Sequence, residues 1–153
     1  MITPWDGQDF AGAKLAALVD GHILTYRRDN KPGIPWPSLI DLPGGGREGD
    51  ESPALCALRE LHEEFGLLLP EQRIWWARPF PAMDARSGSL GRTGWFLAAA
   101  ITRSEVNAIR FGNEGHSPQL LGLDAFLAAN DAIAPLQQRL RLVLEAPRNY
   151  AVL

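Results

Sequence analysis

The sequence predicts an α/β protein in which a mixed β-sheet is layered between helices. Three observations carry this expectation. Strand-like apolar runs are interspersed with three helical patterns, which is the ordering that α/β layers produce. The 153 residues fit one domain rather than two, and a domain of this size buries roughly 70% of its unfolded-chain surface, enough for a core without staples. The composition, 46% hydrophobic and 22% charged, sits close to the globular average and excludes wholesale disorder, collagen and coiled coil.

The elements follow in order. Residues 1–12, with Pro4, Gly7 and Gly12, read as a loose arm on a single domain spanning 1–153. Lys14 to Val19 is a short apolar run, Asp20-Gly21 a hairpin signal, and His22 to Arg28 the partner strand. Asp29 to Pro37, with three prolines and a glycine, is a loop, and Ser38 to Leu42 a short strand that Pro43-Gly44-Gly45-Gly46 breaks. Ser52-Pro53 supplies an N-cap and a first-turn proline for a helix over Ala54 to Phe65, and Gly66 stops it. Arg73 to Pro81 and Gly94 to Thr102 read as strands around a polar loop at 84–93. Ala108 to Phe111 is a further strand, Gly112 to Gly115 a turn, and Asp124 to Ala129 and Pro135 to Glu145 are helical.

Charge and cysteine content narrow the function classes. Fifteen basic against eighteen acidic residues give a net charge of -3, which argues against broad binding of a nucleic-acid polymer. The single cysteine, Cys56, makes no internal disulfide, so nothing points to a secreted scaffold. Met1 to Asp6 contains neither a basic region nor a long apolar run, so neither a signal peptide nor a membrane span is expected, and the expected location is the cytoplasm.

The helix over 54–65 breaks local rules. At about 100° per residue, Leu55, Leu58, Leu61 and Phe65 gather with Ala54 on one side, the expected core face. Glu60, Glu63 and Glu64 then fall on roughly the opposite side at i, i+3 and i+4. Most acidic runs are solvated faces. Here, however, like charges at these spacings repel by roughly 0.2–0.5 kcal/mol per pair. All three also sit at the negative end of the helix dipole, misplaced by about 0.3–1 kcal/mol apiece. A hard divalent cation with oxygen ligands reverses the sign of every one of these contributions. Arg59, on the Glu63 flank, is either charge relief or a fork that holds a carboxylate. Gly44-Gly45-Gly46 allows backbone to approach a ligand closely, yet it is no Walker loop, because no Lys-Ser/Thr follows at the needed spacing.

Gly45–x5–Glu51–x7–Arg59-Glu60-Leu61-His62-Glu63-Glu64-Phe65-Gly66-Leu67 resembles a complete Nudix box, preceded by the typical Leu42-Pro43-Gly44-Gly45-Gly46. From average residue usage a chance match is on the order of 10⁻⁹ per starting position. The resemblance implies a Nudix fold, a mixed sheet sandwiched between helices. It also implies metal-dependent, MutT-like hydrolysis of the diphosphate linkage of a nucleoside diphosphate joined to a group X, with Mg²⁺ or Mn²⁺ as cofactor. By that resemblance Glu60, Glu63 and Glu64 are metal ligands or handle the proton of the attacking water. Arg59 orients a glutamate, Glu51 supports the loop through charge pairing, and Gly45 offers backbone to the metal site. Some members recruit an acid from a distant loop, and Glu114 is the candidate for that role beside its plainer reading as a turn acid.

For the substrate, Trp36 in the proline-rich loop is a candidate base-stacking residue. Arg27 is a candidate phosphate contact, while Arg28 and Lys31 read as solvated charge and Trp75, Trp76 and Trp95 as core. The expected partner is a small molecule containing a nucleoside diphosphate, with no membrane, and a homodimer is an open alternative to a monomer. Pro79-Phe80-Pro81 resembles part of the array of NADH diphosphatases, and prolines nearby resemble ADP-ribose hydrolases. No tyrosine follows the box closely, which counts against dinucleoside-polyphosphate hydrolases. The alternatives to a MutT-like enzyme are therefore an ADP-ribose- or NADH-type diphosphatase, or a non-catalytic nucleotide sensor of the same fold. Retention of every box glutamate favours catalysis.

Overall fold

Asp20 and Gly21 both take positive φ, 45° and 73°, the backbone a two-residue primed turn demands. They join β1 (Gly12–Val19) to β2 (His22–Arg27) as an antiparallel hairpin. The structure, a computed structural model, describes residues 1–83, 92–110 and 118–147. The remaining elements are β3 (Ile40–Asp41), β4 (Gly44–Gly46), α1 (Pro53–Phe65), β5 (Ile74–Pro81), β6 (Thr93–Ala100), α2 (Arg103–Asn107), β7 (Pro118–Gly122), α3 (Leu123–Ala128) and α4 (Ala134–Glu145). Among the described residues they build one mixed sheet ordered β3-β2-β1-β6-β5, with β4 paired to β1 and β7 to β2.

β1 organises this sheet. It runs parallel to β6 along most of its length. On its other side it pairs with β4 over Gly12, Ala13 and Lys14, and with β2 at Leu18 and Val19. Alternation along the strands sorts side chains to two faces. Leu15, Ala17, Trp95, Leu97 and Ala99 meet Cys56, Ala57, Leu61 and Phe65 of α1. Ala16, Trp76, Phe96 and Ala98 meet Phe126 of α3 and Leu136, Leu140 and Val143 of α4. The expected sandwich of a mixed sheet between helices is what forms. No helix among the described residues is long and apolar enough to cross a membrane.

The structure departs from the expected elements in several places. Gly44–Gly46 is itself a strand, because β1 supplies ladder partners that outweigh glycine's low propensity. Of the expected strand at 108–111, residues 108–110 form no strand and Phe111 lies outside the described residues; α2 ends just before them with Ala108 as its C-cap, and Thr102 and Glu105 form a reciprocal capping box at its start. β7 had no sequence expectation behind it. Residues 1–10 are tied down rather than loose: the Thr3 N–H donates to the Ala77 carbonyl at 2.9 Å, and Phe10 is buried against Trp5. Within α1 the N-cap and stop stand as read. Ser52 Oγ accepts from the Leu55 N–H at 3.2 Å, and Gly66 takes φ 72°.

Asp41, 1% exposed, lies where β1 exchanges β2 for β4. Its Oδ2 accepts from Lys14 Nζ, Arg28 Nη1 and the Tyr26 hydroxyl, each at 2.9 Å, and its Oδ1 accepts from the Leu42 N–H at 2.7 Å. Burial alone would raise its pKa, but Lys14, Arg28 and the Leu42 N–H hold it below 3.8. A lowered folded-state pKa contributes stability above the unfolded value and loses it as pH falls below about 4. Asp41→Asn is therefore expected to cost about 3 kcal/mol in urea unfolding at neutral pH, since it strands two half-buried cations. It should also flatten the acid limb of the stability–pH curve; an unchanged limb would show that Asp41 does not anchor the exchange.

Candidate active site

Helix α1 is rotated relative to the expectation from its leucines. Its buried residues include Cys56, Ala57, Leu61 and Phe65, whereas Leu55 is 51% exposed. Cys56, Glu60 and Glu64 form an i, i+4, i+8 row beside that face, so Glu60 and Glu64 point toward the sheet and only Glu63 faces solvent. The expected placement of all three opposite the core is corrected for two of them. The cause is β4: three glycines carry no side chains, so the helix settles close and the carboxylates fill the gap.

The contacts follow from that approach. Glu64 Oε1 accepts from the Gly44 N–H at 2.8 Å, and burial pushes its carboxyl up to about 7, with Lys14 opposing. A Cβ on Gly45 would lie 2.5 Å from Glu60 Oε1, so any side chain there would displace that carboxylate. Burial likewise raises Glu60, against the pull of Arg59.

Arg59 is the hub. Its Nη2 and Nε donate to the two oxygens of Glu51 at 2.8 and 3.0 Å, and Nη2 also reaches the Gly46 carbonyl at 2.8 Å. Its Nη1 is shared by Glu60 and Glu63, each at 3.1 Å. This fork holds Glu51 at about 2, and Glu51 in turn accepts the Glu48 N–H at 2.8 Å. Arg59 thus orients two box glutamates while Glu51 fixes Arg59. The Cys56 thiol donates to the Gly45 carbonyl at 3.6 Å, and burial pushes it up to about 12, so it packs as a neutral group.

A cleft of about 380 Å³ opens beside β4, lined by Lys14, Arg28, Trp36, Trp95 and Met83 as well as the three glycines. The expected site residues divide around it. Trp36 is at the cleft, held with φ 55°, a conformation that costs on the order of 1–3 kcal/mol in a non-glycine residue and tends to cluster at functional sites. Arg27 is not part of the lining: it pairs with Asp131 at 3.0 Å and donates to the Ser38 carbonyl at 2.7 Å on the surface. Arg28, read as solvated charge, is the one that lines the cleft, and its Nε donates to the Pro35 carbonyl at 2.9 Å, bracing the loop that carries Trp36. Glu114 lies outside the described residues. Arg92 and Arg139 also line the cleft and were missed. For Arg139 the signal was present: it sits at i+3 from Leu136 and shares its side of the helix with Leu136, Leu140 and Val143.

Comparison with known proteins places this geometry in context. The NUDIX domain model matches residues 11–143. No curated protein matches the chain. Among solved structures, a bifunctional NMN adenylyltransferase/ADP ribose pyrophosphatase from Francisella tularensis, complexed with AMP and a Mn ion, superposes with TM-score 0.69 at 22% identity. That match covers 94% of this chain but 43% of the other, so the chain spans less than half of that protein. The MutT protein of Methanosarcina mazei superposes with TM-score 0.64 at 17% identity, covering 94% of this chain and all of the other. An Ap4A hydrolase from C. elegans gives 0.60 at 16% identity, over 87% and 93% of the two chains. With the family model spanning most of the sequence and every fixed position of the motif filled, the chain belongs to the NUDIX domain family.

Proposed function

We propose that the chain hydrolyses the diphosphate linkage of a nucleoside diphosphate joined to a second group, with Mg²⁺ or Mn²⁺ held on the box. The observation that carries this reading is the wedge of Glu60 and Glu64 between α1 and a strand without side chains, next to a cleft lined by cations.

The residues fit a hard divalent cation. The donors available at the wedge are oxygens: the carboxylates of Glu60 and Glu64, the adjacent Gly45 carbonyl, and Glu63 on the outer side. Among the described residues no group of three or more acidic, histidine or cysteine side chains is placed to hold a metal ion by itself, so a cation here would need backbone oxygen, substrate phosphate and water as well. That suits Mg²⁺, which prefers a few carboxylates together with substrate phosphate and water. Both inward carboxyls are raised by burial, so a neighbouring positive charge would relieve them. When bound, such a cation neutralises phosphoryl oxygens and acidifies an attacking water.

The chain's own groups do the rest. Lys14 and Arg28, held on Asp41, present positive charge to phosphates entering the cleft. Trp36 offers a ring for a base to stack on. A box carboxylate accepts the proton of the attacking water. Arg59, tied to Glu51 and Gly46, keeps Glu60 and Glu63 aimed while substrate comes and goes.

Phosphate release from a panel of nucleoside diphosphate derivatives and nucleoside triphosphates, with Mg²⁺ and with or without chelator, tests the reading. Chelator-sensitive release is expected for at least one compound; none from any compound would favour a nucleotide sensor. Glu63→Gln and Glu64→Gln are each expected to lower kcat by about 10²–10⁴-fold with the circular-dichroism spectrum unchanged. Near-normal rates in both would overturn the metal assignment. Glu51→Gln touches no substrate; it should reduce kcat more modestly while leaving KM nearly unchanged, because it loosens Arg59 rather than the cleft.

A further inference from the structure

Arg139 is 8% exposed on α4, flanked by Leu136, Leu140 and Val143. Its guanidinium lies 4.6 Å from the centre of the Phe80 ring, and Nη2 donates to the Pro81 carbonyl at 2.8 Å. No carboxylate among the described residues pairs with it. The other cations of the cleft are matched: Lys14 and Arg28 by Asp41, and Arg92 by Asp9 at 3.5 Å. Burial is accordingly the sole influence on the Arg139 pKa, and it acts downward. A largely buried guanidinium with one carbonyl partner, one aromatic face and no carboxylate keeps N–H donors to present to the cleft it lines.

Its position defines which ligand suits it. Gly46 pairs with Gly12, Gly12 with Gly94, and Gly94 with Phe80, so β4 and the Pro81 end of β5 lie three strand spacings apart. At sheet level that is roughly 14 Å. A diphosphate held beside Glu60 and Glu64 does not extend so far, whereas a group on the far side of a nucleoside, or on the group it carries, does. The planar fork of an arginine matches a phosphate or carboxylate with two parallel hydrogen bonds.

We infer that Arg139 is the anchor of a second anion subsite, which selects substrates bearing a phosphate monoester or carboxylate distal to the scissile diphosphate. The inference rests on the cleft being the nucleotide site of the proposed hydrolase.

Matched pairs differing by one distal anion test it: AMP against adenosine 2′,5′-bisphosphate, AMP against adenosine 3′,5′-bisphosphate, and UDP-glucose against UDP-glucuronate. Affinities are read with Mg²⁺ present by competition against a fluorescent AMP analogue. In the unaltered protein one pair is expected to show a preference of about 10- to 100-fold for the doubly anionic member; which pair does so separates phosphate from carboxylate. Arg139→Lys should keep part of that preference and Arg139→Gln should abolish it. No preference in any pair, no binding by any member, or a preference that survives in Arg139→Gln overturns the inference. Should the glutamine variant fail to fold, the unaltered protein and the lysine variant still decide. Phosphate release is scored separately: turnover without a preference leaves the hydrolase reading standing and removes this one, and a preference without turnover does the reverse.

Discussion

The closeness of α1 to β4 governs the rest of the structure. Two of the three glycines of β4 have no room for a side chain unless a neighbour shifts. A Cβ on Gly45 would enter the Glu60 carboxylate, one on Gly44 would strike the backbone of Ala13 and Lys14, and one on Gly12 would strike the Gly45 carbonyl. Such packing gives up the strand propensity that branched residues would have supplied. The ladder to β1 and the buried face of α1 hold it in place instead. In return the helix places two carboxylates against backbone, and Gly44 donates its N–H to one of them.

This closeness also settles how so much negative charge survives near the wrong end of a helix. Repulsion among Glu60, Glu63 and Glu64 and their clash with the dipole are relieved in part by the protein itself. Arg59 bonds two of the three, and Gly44 bonds the third. The arrangement is ordered yet still electrostatically unfinished, since burial leaves Glu60 and Glu64 raised rather than lowered. Glu51 shows the contrast: the same guanidinium, gripping both of its oxygens, holds it at about 2. Arg59 is thus spent mainly on Glu51, which makes the pair a strut, and the inward glutamates keep capacity for a further positive charge.

Much of this was legible in the sequence, and what was not has identifiable causes. The Asp20-Gly21 hairpin, the Ser52-Pro53 start and the Gly66 stop are set by local backbone chemistry, and they stand as read. The face of α1 was misread because Leu55 and Leu58 count as strongly apolar while Cys56 and Ala57 do not. Packing against a sheet selects the small residues, and Leu55 is left exposed. β4 was unreadable for a related reason, since its pairing depends on β1, remote in sequence. The Thr102–Glu105 capping box was visible and overlooked, so α2 had no expectation behind it. In the site, motif spacing located the glutamates and Arg59 but not the cleft's cations. Arg27 and Arg28 are neighbours in sequence, and alternation along β2 sends only one of them toward Asp41.

That alternation bears on how a net acidic chain presents positive charge at its cleft. With a formal charge of -3 the molecule as a whole repels nucleotides at long range. Screening confines that repulsion to about 8–10 Å at physiological salt, so the local arrangement decides. There the charges are segregated by element: carboxylates stand on α1 behind the glycine strand, and cations stand on β1, just past the end of β2, and on α4 around the cleft. Asp41 sits among the cations with its charge committed to Lys14 and Arg28, and its role is to fix their positions. An anionic ligand entering the cleft would meet positive groups on several walls, with the α1 carboxylates set back behind the glycine wall. A cation held on those carboxylates would reverse the sign of the potential on the glycine side, so the proposed diphosphate would face that side while the cleft's own cations meet the rest of the ligand.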